Sequence, residues 1–335
     1  MTGPLNTRCC ALIEELGLGR AADVVAVTGL AGGVASDIAR VDLNGQSFCV
    51  KFALPKLRVA ADWFAPVHRS KAEYAWLQVA GRVAPGAAPR LFGYSEHLQG
   101  FAMEYIAGPD VQLWKTLLLS GGDPVDAASR VADILGRIHA AGSDPGFDRM
   151  AFDNAADFHA LRVEPYLLFT AQRHPGLAKR LHVLASRLDH SALTLVHGDV
   201  SPKNILLRGG QPVLLDAECA TVGDPCFDVA FCINHLLLKS VHLPQWRAGL
   251  LGAVAAFWQA YQGHVCWEPV QGLESRVAAL VPALMLARID GKSPVEYLAD
   301  RAKAAVRTLA IPLIADPVDR LDDLVAHVLS GGPVP

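Results

Sequence analysis

Apolar residues along this chain change their period near residue 104. Ahead of that point, short alternating or continuous apolar runs predict β-strands at Val24–Thr28, Asp37–Leu43, Gln46–Phe52, Pro89–Tyr94 and Phe101–Ile106. Asn44-Gly45 joins two of them, and Asn-Gly between apolar runs predicts a tight hairpin because both residues tolerate positive φ. Two helices interrupt this half, at residues 9–18 and 68–79. Beyond residue 108 the three- and four-residue spacing of helices takes over. It predicts helices at Val111–Leu119, Pro124–Ala141, Phe158–Thr170, Leu177–Leu188, through Leu238, and then at Trp246–Tyr261, Leu273–Ala287, Pro294–Leu309 and Val318–Leu329. The pattern thus divides the chain into a strand-rich lobe, 1–103, a hinge at 104–108 marked by Ala107-Gly-Pro109, and a helical lobe, 109–335.

One polar interruption in the helical lobe stands out. Leu195-Val-His-Gly-Asp-Val-Ser-Pro-Lys-Asn-Ile-Leu-Leu207 reads as two short strands around a loop holding His197, Asp199, Lys203 and Asn204. A further strand, Pro212–Asp216, ends on a second acid. One carboxylate can accept a hydroxyl proton, while an amide oxygen and another carboxylate can hold Mg²⁺, as phosphoryl transfer requires. In the first lobe, Gly29-Leu-Ala-Gly-Gly-Val-Ala-Ser36 can serve as a plain turn or bring amides to a phosphate. Lys51 interrupts an apolar strand. Glu73 lies on the inward stripe of the next helix with Leu77 and Ala80, where it needs a partner that Lys51 could supply.

Composition narrows the classes. Apolar residues make up 52% and charged residues 19% of 335, a globular balance. The net charge of −3 has no basic tail, which disfavours nucleic acid and anionic membranes as partners. Seven cysteines without a CxxC pair point to buried free thiols in a reducing, cytoplasmic setting, with Cys9-Cys10 as helix-face filler. No signal-peptide pattern opens the chain, and the apolar stretch Val277–Ala287 is too short to cross a bilayer.

The loop Leu195–Leu207 resembles the His-Gly-Asp-x-x-x-x-Asn loop of the aminoglycoside phosphotransferase and choline kinase-like families, small-molecule relatives of protein kinases. The order of parts is similar over most of the chain. That resemblance implies an α+β, two-lobed protein-kinase-like fold, with an antiparallel sheet lobe carrying one main helix and a larger helical lobe. It implies Asp199 as catalytic base or hydroxyl orienter, and Asn204 and Asp216 as Mg²⁺ ligands. Lys51 is implied on the α- and β-phosphates of ATP, held by Glu73. Gly32, Gly33 and Ser36 would cover the phosphates, and main-chain groups at Glu104 to Ile106 would meet adenine. His197 and Asp228 are expected to brace the loop, and His139 to be structural. Glu218, read as two strand positions past Asp216, would assist the metal or meet a cationic acceptor. Lys203 would neutralise the phosphoryl group or stay solvated.

Asp216 is followed by no Asp-Phe-Gly and no long activation loop before Asp228, so the acceptor is expected to be a small molecule with a hydroxyl: an antibiotic, an amino alcohol or a sugar. Met285–Lys292 resembles the late arginine segment of methylthioribose kinases, which differ at the position of Asn204. Arg288 there suits a sugar or an anionic group, or simply ends a helix. The alternative function is a nucleotide-binding regulatory module without transfer activity, although no key residue is missing.

Overall fold

The computed structural model describes residues 4–30, 35–56, 58 and 66–330. The first lobe is a five-stranded antiparallel sheet in the order β1-β2-β3-β5-β4, formed by β1 (Val24–Gly29), β2 (Ser36–Leu43), β3 (Gln46–Ala53), β4 (Leu91–Ser95) and β5 (Gly100–Glu104). The Asn44-Gly45 turn takes φ of 51° and 76°, and sets the β2–β3 register that pairs Leu43 with Gln46.

Strand period explains the two faces. Phe48, Val50 and Phe52 pack under α1 (Pro4–Glu15), with Cys9, Leu12 and Ile13. Cys49 and Lys51 therefore face the other way, toward α2 (Arg69–Val83) and the second lobe. Trp76 and Leu77 of α2 belong to the same apolar core as the helical lobe, which ties the two halves together.

The second lobe starts with a short strand, β6 (Val111–Leu113), where a helix was expected; it pairs with Leu206–Arg208 and only then gives way to α3 (Trp114–Leu119). The helices α4 (Val125–Gly142), α5 (Ala155–Phe158), α6 (Phe169–Arg173) and α7 (Ala178–His190) follow. Between α5 and α6 the expected regular helix is instead a π-helix, His159–Leu168, carrying Pro165. Proline lacks an N–H and crowds the preceding turn, and a wider helix accommodates this.

The region around Leu195–Leu207 is a set of short antiparallel pairs. β7 (Thr194–Val196) pairs with β10 (Thr221–Gly223), and β8 (Ile205–Arg208) with β9 (Gln211–Leu214). α8 (Cys226–His242), α9 (Arg247–Gln262), α10 (Val270–Asp290), α11 (Asp300–Ala315) and α12 (Leu321–Ser330) close the lobe. Residues 294–299, expected as the start of a helix, lie ahead of α11 in irregular chain. The stretch expected at Val277–Ala287 belongs to a longer helix: α10 has 21 residues and is apolar enough to cross a bilayer by composition. It packs against α8 and α11, with most of its residues buried, as a core helix does.

Candidate active site

Backbone geometry prepares the loop after β7. Gly198 sits at φ +79°, and a Cβ there would meet the Cys219 carbonyl oxygen at 2.8 Å, so the turn needs glycine. Asp228, in the first turn of α8 and fully buried, accepts the amide N–H groups of His197 at 2.6 Å and Gly198 at 2.8 Å. His139 contacts the same carboxylate at 3.2 Å through Nε2 and Tyr261 Oη at 2.7 Å through Nδ1. The His197 ring stands edge-on to Trp76, 4.5 Å between centroids. Its Nδ1 accepts the Asp199 amide at 3.1 Å, so its Nε2 is the protonated nitrogen and donates to the Leu215 carbonyl at 3.2 Å. Burial holds this imidazole below its ordinary pKa, and it is neutral.

Asp199 is 3% exposed. Its Oδ2 pairs with Arg162 Nη2 at 2.9 Å and Lys203 Nζ at 3.1 Å, and its Oδ1 accepts Ser201 Oγ at 3.2 Å. Burial alone raises a carboxyl pKa, yet Lys203 and Arg162 outweigh it and hold Asp199 below the usual carboxylate range. Arg162 also donates through Nε to the Gly198 carbonyl. Nothing local in the sequence marks Arg162, because an arginine within an amphipathic helical pattern looks like any solvated one. The Asn204 amide nitrogen donates to the Asp199 carbonyl at 3.1 Å, which leaves its side-chain oxygen for another partner.

Lys51 is 3% exposed and reaches both lobes. Its Nζ lies 2.7 Å from Glu73 Oε1 and in close contact with Asp216 Oδ1. Burial opposes the ammonium charge, but Asp216 and Glu73 hold Lys51 above its ordinary pKa. Burial pushes Glu73 up to about 7, against the pull of Lys51. Asp216 titrates below the ordinary carboxylate range because Lys51 and Lys203 outweigh its burial. It also adopts φ +67°, rare for a residue with a Cβ and a form of backbone strain found at ligand sites.

These groups open on a cleft of about 420 Å³. Ser36, Lys51, Glu73, Glu104, Ile106, Asn204 and Asp216 all line it, with Leu30, Leu206 and Leu215 forming apolar walls. The amide of Glu104 is taken by the Arg90 carbonyl, while Ile106 lies past the end of the sheet. Gly32 and Gly33 lie outside the described residues. Asn204 and Asp216 present one hard oxygen type each, a donor set that suits Mg²⁺ completed by waters and phosphate oxygens. Among the described residues no cluster of three acidic, histidine or cysteine side chains offers a rival all-protein metal cage.

Glu218 departs from the expected strand geometry. The strand ends at Leu214, and Glu218 stands in the turn that follows. Its Oε2 accepts Arg69 Nε at 3.0 Å, both groups being buried. Arg69, which the sequence reading did not single out, also binds the Leu54 carbonyl at 2.9 Å and so ties this turn to the first lobe.

Comparison with known proteins agrees with this architecture. Two methylthioribose kinases are similar to the chain: one from Escherichia coli O45:K1, 27% identical over 241 residues, covering 62% of the chain and 56% of the relative, and one from Bacillus cereus, 22% identical, covering 63% and 60%. The match thus spans little more than half the length of these relatives. Among solved structures, a choline/ethanolamine kinase family protein from Mesorhizobium loti aligns with a TM-score of 0.54 at 15% identity, over 97% of this chain and 99% of that one. A choline kinase from Cryptosporidium parvum gives 0.51 at 11% identity, over 98% and 94%. The two-lobed fold is therefore the one these kinases share. The model of the phosphotransferase enzyme family matches residues 26–273, a span that takes in β3, α2, the loop after β7 and the start of α8, and the chain belongs to that family.

Proposed function

We propose that this protein transfers the γ-phosphoryl group of ATP to a hydroxyl group of a small molecule, with residues 104–108 as the hinge between its lobes. The observation that supports this best is Lys51, buried between Glu73 and Asp216 on the wall of a cleft that also holds Asn204. A lysine so placed offers the phosphates a fixed positive charge rather than a mobile one. In this reading Ser36 and Lys51 meet the phosphates, and main-chain groups near Ile106 meet the base. Asn204 and Asp216 hold Mg²⁺, which supplies charge neutralisation on the phosphate oxygens when bound.

Transfer is in line. The acceptor oxygen forms a bond to the γ-phosphorus, the bond to the β,γ-bridging oxygen breaks, ADP leaves with that electron pair, and the hydroxyl proton passes to Asp199. Of about four lone-pair sites on a carboxylate, Arg162, Lys203 and Ser201 fill three, which leaves one to receive the hydroxyl. A carboxylate held at low pKa is a weak base. It orients the nucleophile and takes the proton late, which suits the loose transition state of phosphoryl transfer. His197 and Asp228 hold the loop and exchange no proton with substrate. The seven cysteines are all free thiols, in keeping with a cytoplasmic site of action.

Purified protein with Mg²⁺-ATP is expected to release ADP in proportion to added acceptor. Asp199→Asn is expected to lower kcat by about 10²–10⁴-fold with ADP affinity unchanged by titration. Full activity in Asp199→Asn removes the role assigned to it. ATP binding without acceptor-stimulated turnover across a broad hydroxyl library favours a regulatory nucleotide-binding module instead.

A further inference from the structure

Past Asp199 the interior of the helical lobe turns basic. Arg162, which pairs with Asp199, lies 6.0 Å from the ring centroids of both Tyr166 and Phe231. Tyr166 Oη accepts Arg288 Nη1 at 3.2 Å, and Phe231 meets the His235 ring edge-on at 5.2 Å. One turn along α8, Lys239 Nζ reaches, among the described residues, only the His235 carbonyl, at 3.4 Å, and lies 5.2 Å from the Tyr297 ring. A continuous path of side chains thus runs from the loop of Asp199 to Lys239.

The group lacks counter-charge. Arg288 is 8%, His235 5% and Lys239 1% exposed, and among the described residues none of the three has a carboxylate partner. Arg288 Nε, His235 Nε2 and Tyr297 Oη are buried without any hydrogen-bond partner. Glu296, the carboxylate with the largest influence on Lys239, is already paired with Lys115. The charged neighbours acting on His235 are Lys239, Arg288, Lys203 and Lys115, all cations. Burial and Lys115 push Lys239 down to about 7. Buried charges and donors left this way are costly, and fold stability alone does not account for gathering three of them. Anionic oxygens supply what is missing: negative charge and several acceptors at once.

We propose that this basic cluster receives an anionic group of the acceptor, a carboxylate or a phosphate on the same molecule whose hydroxyl Asp199 orients. The inference rests on the phosphotransferase reading and narrows its substrate class to acidic hydroxyl compounds. A cationic aminoglycoside or amino alcohol meets like charge at Lys239 and Arg288. Arg288 and Tyr297 lie beyond residues 26–273, the segment that the family model matches.

The test compares matched acceptors on protein supplied with Mg²⁺-ATP for ADP release, and with Mg²⁺-ADP for thermal shift. Glycerate is set against glycerol, gluconate against glucitol, and glucose 6-phosphate against glucose, with choline and kanamycin as cationic arms. At least one acid is expected to stabilise the Mg²⁺-ADP form and to exceed its neutral partner at least tenfold in kcat/KM. The carboxylate and phosphate arms separate the two kinds of anion. Arg288→Gln and Lys239→Met are each expected to erase that preference with Mg²⁺-ADP affinity unchanged, and Arg288→Lys to restore part of it. Lys239→Met is also expected to raise the melting temperature of the ligand-free protein, whereas a purely structural lysine would lower it. The proposal is overturned if neutral or cationic acceptors turn over as well as the acids, if no acid stabilises the Mg²⁺-ADP form, or if the acid effect survives in both variants. Failure to bind ATP at all would instead sink the phosphotransferase reading itself.

Discussion

Asp199 shows how a single side chain gains its properties from partners far away in sequence. Its position was legible from the loop, because His-Gly-Asp followed by Asn five residues on is a local arrangement. Its electrostatics were not, since Arg162 lies 37 positions earlier and meets it only through packing of the π-helix. Arg162 acts through Asp199, as a positioning residue. Without its charge the Asp199 pKa rises, so Arg162→Gln is expected to move the acid limb of the kcat/KM profile to higher pH. A pH–rate profile that loses amplitude with no movement of the limb would show that Arg162 only supports the loop. Glu218 carries the same lesson in reverse. Period-two reasoning aimed it at the cleft, but the strand stops at Leu214 and Arg69 claims its carboxylate.

Among elements, α8 has the widest reach. Its first turn places Asp228 against two loop amides, its middle places His235 in the basic cluster, and its last turn adds Lys239. The apolar run that predicts a helix here says nothing about which of its polar residues find partners. Asp228→Ala leaves the amides of His197 and Gly198 and the His139 ring without their acceptor. A loss of about 3–5 kcal/mol in denaturant unfolding is expected, since buried donors are stranded. A loss below 1 kcal/mol would mean that water replaces the carboxylate readily. The π-helix was not legible in the sequence because a proline within an apolar run marks a helix break as readily as a widening, and Pro165 was its one sequence signal.

For the whole molecule, the balance of buried charge predicts how stability varies with pH. Lys239 titrates near 7 when folded and near 10.5 when unfolded, so the unfolded chain binds more protons between those limits. Stability of the ligand-free protein from this group therefore rises with pH above 7, with a slope of at most about 1.4 kcal/mol per unit. Burial does most to keep the Lys239 pKa low, Lys115 and Arg288 add to it, and Cys232 and Glu296 pull weakly the other way. Cys9 and Cys49, buried and pushed up to about 12, act in the opposite sense above pH 9, so pH 7–9 is the informative window. Denaturant midpoints at pH 7, 8 and 9 are expected to rise for the native protein, and to rise less for Lys239→Met. Equal slopes in the two proteins would show that Lys239 is not the group responsible.

By itself the sequence determined the pieces whose signals are local: the switch from strand to helical period, the Asn-Gly hairpin, the spacing of Asp199, Asn204 and Asp216, and the odd lysine of an apolar strand. Each depends on residues within a turn or two of one another, where backbone geometry couples directly to side-chain pattern. Tertiary structure alone decided that Lys51 bridges Glu73 to Asp216, that Asp199 is held by Arg162, and that Lys239 and Arg288 find no carboxylate among the described residues. Those facts depend on which surfaces of distant elements meet and on how much water they exclude, and the same residue types in the same order are compatible with many such meetings.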